Sequence, residues 1–228
     1  MAGKRGGGPG GRTAAVRVRG TRRRKSSSTE WLRRQLNDPY VAEARRRGWR
    51  SRAAFKLIQL DERFQLLKPG MRVVDLGCAP GGWAQVAATR VRPRGRVVGI
   101  DLVEAAPLPG AVLLRGDFLD PAAPATIAEA LGGAADLVLS DMAAPATGHA
   151  GTDHLRIVAL ADAAFAFARK VLRPGGAFVA KVFQGGAEGE LLAASKRTFA
   201  EVRHWKPPAS RAESAETYLV ARGYRGPA

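Results

Sequence analysis

From residue 70 onward, short β-branched runs alternate with longer Ala/Leu-rich stretches. Arg72–Leu76 (RVVDL), Arg96–Leu102 (RVVGIDL), Ala111–Leu114 (AVLL), Asp136–Leu139 (DLVL), Ala177–Phe183 (AFVAKVF) and Thr217–Ala221 (TYLVA) read as strands. Trp83–Arg92, Ala122–Leu131, His154–Leu172 and Glu188–Phe199 read as the helices between them. Gly70, Gly95, Gly110 and the pair Gly175–Gly176 sit where turns ahead of strands are expected. This alternation predicts βαβ units, and so a Rossmann-like α/β fold: a mostly parallel central sheet with helices on both faces. No internal repeat interrupts it. Upstream, Trp31, Leu32, Leu36, Tyr40, Val41, Phe55, Leu57, Ile58 and Leu60 recur at intervals compatible with helix. They predict a folded helical segment over residues 30–69, joined to an α/β body over 70–228. Residues 1–29 are Gly/Arg/Ser-rich with almost nothing apolar, too little to offset the entropy of ordering, which predicts a disordered arm.

Composition narrows the class. The chain has 228 residues, 46% of them hydrophobic, which suits one substantial core plus an appendage. Its single cysteine excludes an intramolecular disulfide framework and a Cys-rich zinc site. The three histidines, His149, His154 and His204, form no metal-binding pattern, and no metal is expected. No apolar run approaches the roughly 18 residues that span a bilayer, so no membrane partner is expected. The N-terminus lacks the apolar stretch of a secretory signal, which makes cytoplasmic localisation the expectation. The Arg- and Ser-rich, acid-free arm leaves organellar targeting open, although it lacks an amphipathic apolar face.

Charge points to a partner. The formal net charge is +17, and it is unevenly placed. Residues 1–29 hold nine basic residues and no acid; residues 30–56 hold eight basic and three acidic, which leaves only +3 for the rest. A basic run is often no more than a solubilising tail. Two such segments ahead of a nearly neutral body favour a phosphate backbone, with an affinity that falls steeply as salt rises.

The first strand runs into Asp75-Leu76-Gly77-Cys78-Ala79-Pro80-Gly81-Gly82-Trp83, where glycines let the backbone turn sharply and approach a ligand. This loop is not the dinucleotide fingerprint GxGxxG. The one literal match, Gly6–Gly11, has no strand before it, and there is no phosphate-binding GxxxxGK[ST] loop. Asp101 ends the second strand, suited to ribose hydroxyls, and Asp117 follows the third, suited to a purine amino group. Each Asp alone reads as turn chemistry. Acidic strand ends together with a Gly-rich first loop point to an adenosine-type ligand, and the missing fingerprint favours S-adenosylmethionine over a pyrophosphate cofactor.

Four blocks then carry a resemblance. Ser51–Leu57 (SRAAFKL), Val73–Trp83 (VVDLGCAPGGW), Leu139–Ala143 (LSDMA) and Phe178–Gly185 (FVAKVFQG), in this order, resemble the FtsJ/RrmJ ribosomal RNA 2′-O-methyltransferase family. The resemblance extends over about residues 30–224. It implies a catalytic Lys-Asp-Lys-Glu tetrad at Lys56, Asp141, Lys181 and Glu216, and cofactor contacts at Gly81, Trp83, Asp101, Asp117 and Asp141. It further implies S-adenosyl-L-methionine as cofactor and ribosomal RNA or the large ribosomal subunit, at a uridine of 23S rRNA, as partner; a monomer is the expectation for the chain itself. One departure stands out: the family's Ala-Pro-Asn after Ser-Asp-Met is replaced by Ala143-Ala144-Pro145-Ala146.

The residues themselves speak unequally for these roles. Lys56 alone reads as one more cation of a basic helix, and Glu216 as an ordinary edge charge. Lys181 interrupts an apolar strand, where an unpaired ammonium is costly, so it needs a partner or a function. Asp141 closes a strand at the end where α/β sheets bind ligands. A ribose 2′-hydroxyl is a poor nucleophile near neutral pH, so transfer to it needs alignment and proton removal. Lys181, steered by Asp141 and Glu216 with Lys56 beside it, is the expected base. Transfer RNA or a messenger cap as substrate, an NAD-dependent oxidoreductase, and a non-catalytic ribosome assembly factor are the competing readings. The oxidoreductase lacks its fingerprint, and the assembly factor predicts a broken tetrad, whereas all four residues are present.

Overall fold

The computed structural model describes residues 36–144, 147–183 and 189–227, so the arm over 1–29 and Trp31 and Leu32 lie outside the described residues. The first described elements are α1 (Pro39–Arg47) and α2 (Ala54–Phe64). Asp38 caps α1, its Oδ1 accepting from Tyr40 N–H at 3.0 Å, and left-handed Gly48 ends it. The body then runs β1 (Arg72–Leu76), α3 (Gly82–Val91), β2 (Arg96–Asp101), β3 (Val112–Arg115), α4 (Ala123–Leu131) and β4 (Ala135–Ser140). It continues through α5 (Ala150–Val171), β5 (Leu172–Phe183), α6 (Gly189–Thr198), β6 (Phe199–Trp205) and β7 (Glu216–Tyr224).

The seven strands form one sheet in the order β3-β2-β1-β4-β5-β7-β6. β1 to β5 pair in parallel; β7 inserts antiparallel between β5 and β6. The expected α/β architecture is present, and three details differ from the sequence reading. β6 was not expected: the helix predicted to reach Phe199 gives way there to a strand with no turn residue between them. β5 begins at Leu172 rather than Ala177, so Gly175 and Gly176 lie inside an irregular strand start instead of a turn. α5 begins four residues before His154.

Alternation along the strands sorts the core into two layers. Val74, Leu76, Val98, Val138, Phe178, Ala180 and Leu219 point to the face covered by α4, α5 and α6. Val73, Val97, Leu137, Leu139, Val179, Tyr218 and Val220 point to the face covered by α2 and α3, where Leu57, Leu60, Trp83 and Val86 meet them. The same period of two assigns Asp75 and Lys181 to this second face. Lys181 pairs with Tyr218 in the β5–β7 register, two positions from the Phe183–Glu216 pair.

Candidate active site

The face under α2 and α3 becomes polar at the carboxyl ends of the central parallel strands. Lys56 projects from α2, whose Ala54, Phe55, Leu57 and Leu60 are buried and fix its rotation. Its Nζ stands 2.8 Å from Glu216 Oε1 and donates to Glu216 Oε2 at 2.9 Å. It also lies 3.5 Å from Asp141 Oδ1. Lys181 Nζ approaches the same Asp141 oxygen at 3.2 Å and donates to the Asp141 carbonyl at 2.8 Å. All four predicted tetrad residues therefore meet in one chain, Lys181–Asp141–Lys56–Glu216, two cations alternating with two carboxylates. Their side chains are 6 to 15% exposed, dry enough for the charges to interact strongly yet reachable from one side. Burial pushes the Asp141 carboxyl up, but Lys181, Lys56 and the Tyr218 hydroxyl together hold it below the usual carboxylate range.

The glycine-rich loop lies at the start of α3. Gly81 has φ +108, and a Cβ there would stand 2.8 Å from Arg50 Nη1. A Cβ on Gly82 would fall 2.2 Å from Ser51 Oγ and 3.4 Å from Ala54 N, so the first turn of α3 packs closely against the chain leading into α2. Arg50 closes the loop from outside, donating to the carbonyls of Pro80, Ala106 and Pro107. The two predicted turn-forming acids do make turns. Asp101 accepts from Ala79 N–H at 2.9 Å and Val103 N–H at 2.8 Å; Asp117 Oδ1 accepts from Leu119 N–H at 2.9 Å. Both still present carboxylate lone pairs at the ends of β2 and β3. Trp83 is packed inward: the residue is 3% exposed and its indole N–H donates to Ala53 O at 2.8 Å. Pro145, Ala146, Gln184 and Gly185 lie outside the described residues. A cavity of about 740 Å³ beside β3, lined by Glu104, Pro107, Leu108 and Arg115 among others, holds none of the predicted site residues.

The sequence model of the FtsJ-like methyltransferase family matches residues 49–224, from the chain before α2 through the end of β7. The chain belongs to the FtsJ-like methyltransferase family. A protein named ribosomal RNA large subunit methyltransferase E from Paramagnetospirillum magneticum is 64% identical, over 97% of this chain and 93% of its own. A namesake from Rhodospirillum rubrum is 62% identical, over 95% of this chain and 84% of its own. Among solved structures, a ribosomal RNA methyltransferase of Plasmodium falciparum superposes with a TM-score of 0.71 at 31% identity, covering 78% of this chain and all of its own.

This FtsJ-like chain also surrounds its charge chain with residues the sequence reading passed over. Tyr218, fully buried, donates its hydroxyl to Asp141 Oδ1 at 2.6 Å. Burial, then Asp141 and Glu216, push its phenol well above the ordinary value, so it stays a donor at any working pH. A tyrosine in a strand reads as ordinary β-sheet filling; its one signal is the shared face with Glu216, two residues earlier. Asp75 is 1% exposed and its Oδ2 has no partner among the described residues. Burial above all, then Asp141, raises its carboxyl to about 8 against the pull of the Ala84 N–H. The signal was available: Asp75 interrupts an apolar strand as Lys181 does. Among the described residues no group of three His, Cys, Asp or Glu could hold a metal ion, and no helix is long and apolar enough to cross a membrane.

Proposed function

We propose that this methyltransferase transfers a methyl group from S-adenosyl-L-methionine to a ribose 2′-hydroxyl of large-subunit ribosomal RNA, at a uridine of 23S rRNA. The observation that carries the reading is the dry Lys181–Asp141–Lys56–Glu216 chain at the carboxyl ends of β4 and β5, where α/β sheets bind ligands. The ribosomal substrate rests on the names of the two bacterial relatives.

The residues present fit the cofactor. Gly81, in a left-handed conformation no side chain adopts easily, lets the loop fold close over a ligand. The positive end of α3 behind it suits a carboxylate, with Trp83 in its first turn. Asp101 would accept from ribose hydroxyls and Asp117 from an adenine amino group, beside Leu102 and Val103, two large apolar side chains left about two-thirds exposed. Asp141, already facing two cations, would border the sulfonium. When bound, S-adenosylmethionine supplies a methyl group on a positively charged sulfur that leaves as a neutral thioether.

The chain's own part is alignment and proton removal. Lys181 has Asp141 O and Oδ1 to orient its Nζ, so its remaining valence points at a substrate hydroxyl in a fixed direction. In the step itself Lys181 enters as the neutral amine: its N–H groups stay on Asp141 O and Oδ1 while its lone pair takes the hydroxyl proton, leaving an ammonium beside the Asp141 carboxylate. Asp141 and Glu216 keep the positive charge of the site in place, and Lys56 bridges them. The basic residues of 30–56 and the arm over 1–29 add sequence-independent phosphate contacts. The test is transfer of labelled methyl to large subunits, bare ribosomal RNA and transfer RNA from an unmethylated source. Label in a 2′-O-methyluridine of 23S rRNA is expected. Label confined to transfer RNA would replace the substrate, and no label in any RNA would return the weight to an assembly factor.

A further inference from the structure

The connection between β6 and β7, residues 206–215, carries no residue of the tetrad, yet it is fastened along its length. Ala209 N–H donates to Gln59 Oε1 of α2 at 2.7 Å, and the Ala209 carbonyl accepts from Arg52. Arg52 and Arg211 both reach the α1 cap Asp38, at 2.5 and 3.5 Å. Lys206 Nζ ties the segment to itself through the carbonyls of Ala212 and Ser214. These contacts run to α1, α2 and the loop's own main chain. One side chain of the segment turns instead into the charge chain: Ser210, 6% exposed, donates its hydroxyl to Glu216 Oε1 at 2.7 Å.

The geometry points to Ser210 as a positioning residue that sets the orientation of the Glu216 carboxylate, and through it the place of Lys56 beside Asp141. This rests on the tetrad reading given above. Glu216 Oε1 serves Ser210 and Lys56 together, while Oε2 takes a second contact from Lys56. Ser210 and Lys56 therefore hold the carboxylate from two different elements, with the Tyr218 hydroxyl beside it. Its main chain is separately held, since Glu216 N–H donates to Ser214 Oγ at 3.1 Å. Remove the Ser210 hydroxyl and the backbone stays anchored, but the Glu216 carboxylate loses its one tie to the β6–β7 connection and is left to Lys56 and the Tyr218 hydroxyl. Lys56 then follows a mobile partner and its 3.5 Å contact with Asp141 loosens. Ser210 touches no reacting atom in this scheme, so the loss appears in turnover rather than in binding. A hydrogen bond to a charged group corresponds to about tenfold to a hundredfold.

The experiment is single-turnover methylation by the full-length protein, on the RNA that the wild type accepts, with Ser210→Ala, Ser210→Cys and Ser210→Thr. Cysteine fills the hydroxyl's place with only a weak donor, so a poorly folding alanine variant does not end the test. Ser210→Ala and Ser210→Cys are expected to slow the saturated rate about tenfold or more, with KM for RNA and cofactor within about twofold. Ser210→Thr should restore most of the rate. In a Glu216→Ala background Ser210→Ala should cost nothing further, because its route is gone. A wild-type rate for both Ser210→Ala and Ser210→Cys beside a slow Glu216→Ala overturns the inference alone, as does the same loss in both backgrounds. A wild-type rate for Glu216→Ala overturns the tetrad reading and this inference with it.

Discussion

Lys181 and Asp75 both interrupt apolar strands on the face under α2 and α3, and each is at least nine-tenths buried. Lys181 finds the Asp141 carboxylate and carbonyl; Asp75 has the Ala84 N–H and little else, so it is held near 8 and carries its proton at neutral pH. The linkage follows from that. Unfolded, this carboxyl titrates near its ordinary 3.8; folded, near 8; between those values the native chain binds the extra proton. Asp75 therefore makes stability fall as pH rises from about 4 to 8, and Asp75→Asn, which imitates the neutral acid, should remove that slope. Thermal melts from pH 5 to 9 check it: the two curves should diverge toward alkaline pH with the Asn variant higher. Parallel curves would show that Asp75 is ionised. At this scale Lys181 was legible in the sequence because a charge in an apolar strand is anomalous. The part Tyr218 plays was not, because the same hydroxyl in the same strand would look identical with no Asp141 beyond it.

Among the elements, the loop into α3 and the chain into α2 are built to meet, and glycine makes that meeting possible. Gly81→Ala should cost about 1–2 kcal/mol through its left-handed backbone, with the Arg50 contact added, and weaken S-adenosylmethionine binding about tenfold. Gly70→Ala, at φ +87 with nothing within 4 Å of a new Cβ, carries the backbone cost alone and should leave binding intact. Denaturant unfolding and cofactor titration separate the two; equal affinity in Gly81→Ala would remove the loop from the binding account. Strands β1 to β4 were legible to within a residue or two, since turns bound them and β-branched residues fill them. β6 was not, because FAEVRHW alternates only weakly and follows α6 directly. Its place beside β7 is set by pairing across the sheet, which no local window contains.

For the molecule as a whole, the fold class follows from the succession of elements, while the antiparallel insertion of β7 does not. That insertion matters, since from a strand more than thirty residues later it brings Tyr218 beside Lys181 and Glu216 to Lys56. Charge is equally a property of the whole chain. Of the +17 net charge, nine units lie in residues 1–29, ahead of the family match that begins at residue 49. Deleting residues 1–29 should weaken RNA binding and flatten its dependence on salt, leaving cofactor affinity unchanged. Binding isotherms at several salt concentrations check this, and an unchanged slope would make the segment a bystander.

The central claim is that the Lys181–Asp141–Lys56–Glu216 chain performs the transfer. Its most direct test is the single-turnover methylation rate of Lys181→Ala at saturating S-adenosylmethionine and RNA, with both binding constants measured on the same preparation. The account predicts a rate lowered by about a hundredfold or more, with both affinities within a few-fold of wild type. A rate near wild type would contradict it and place the proton acceptor elsewhere.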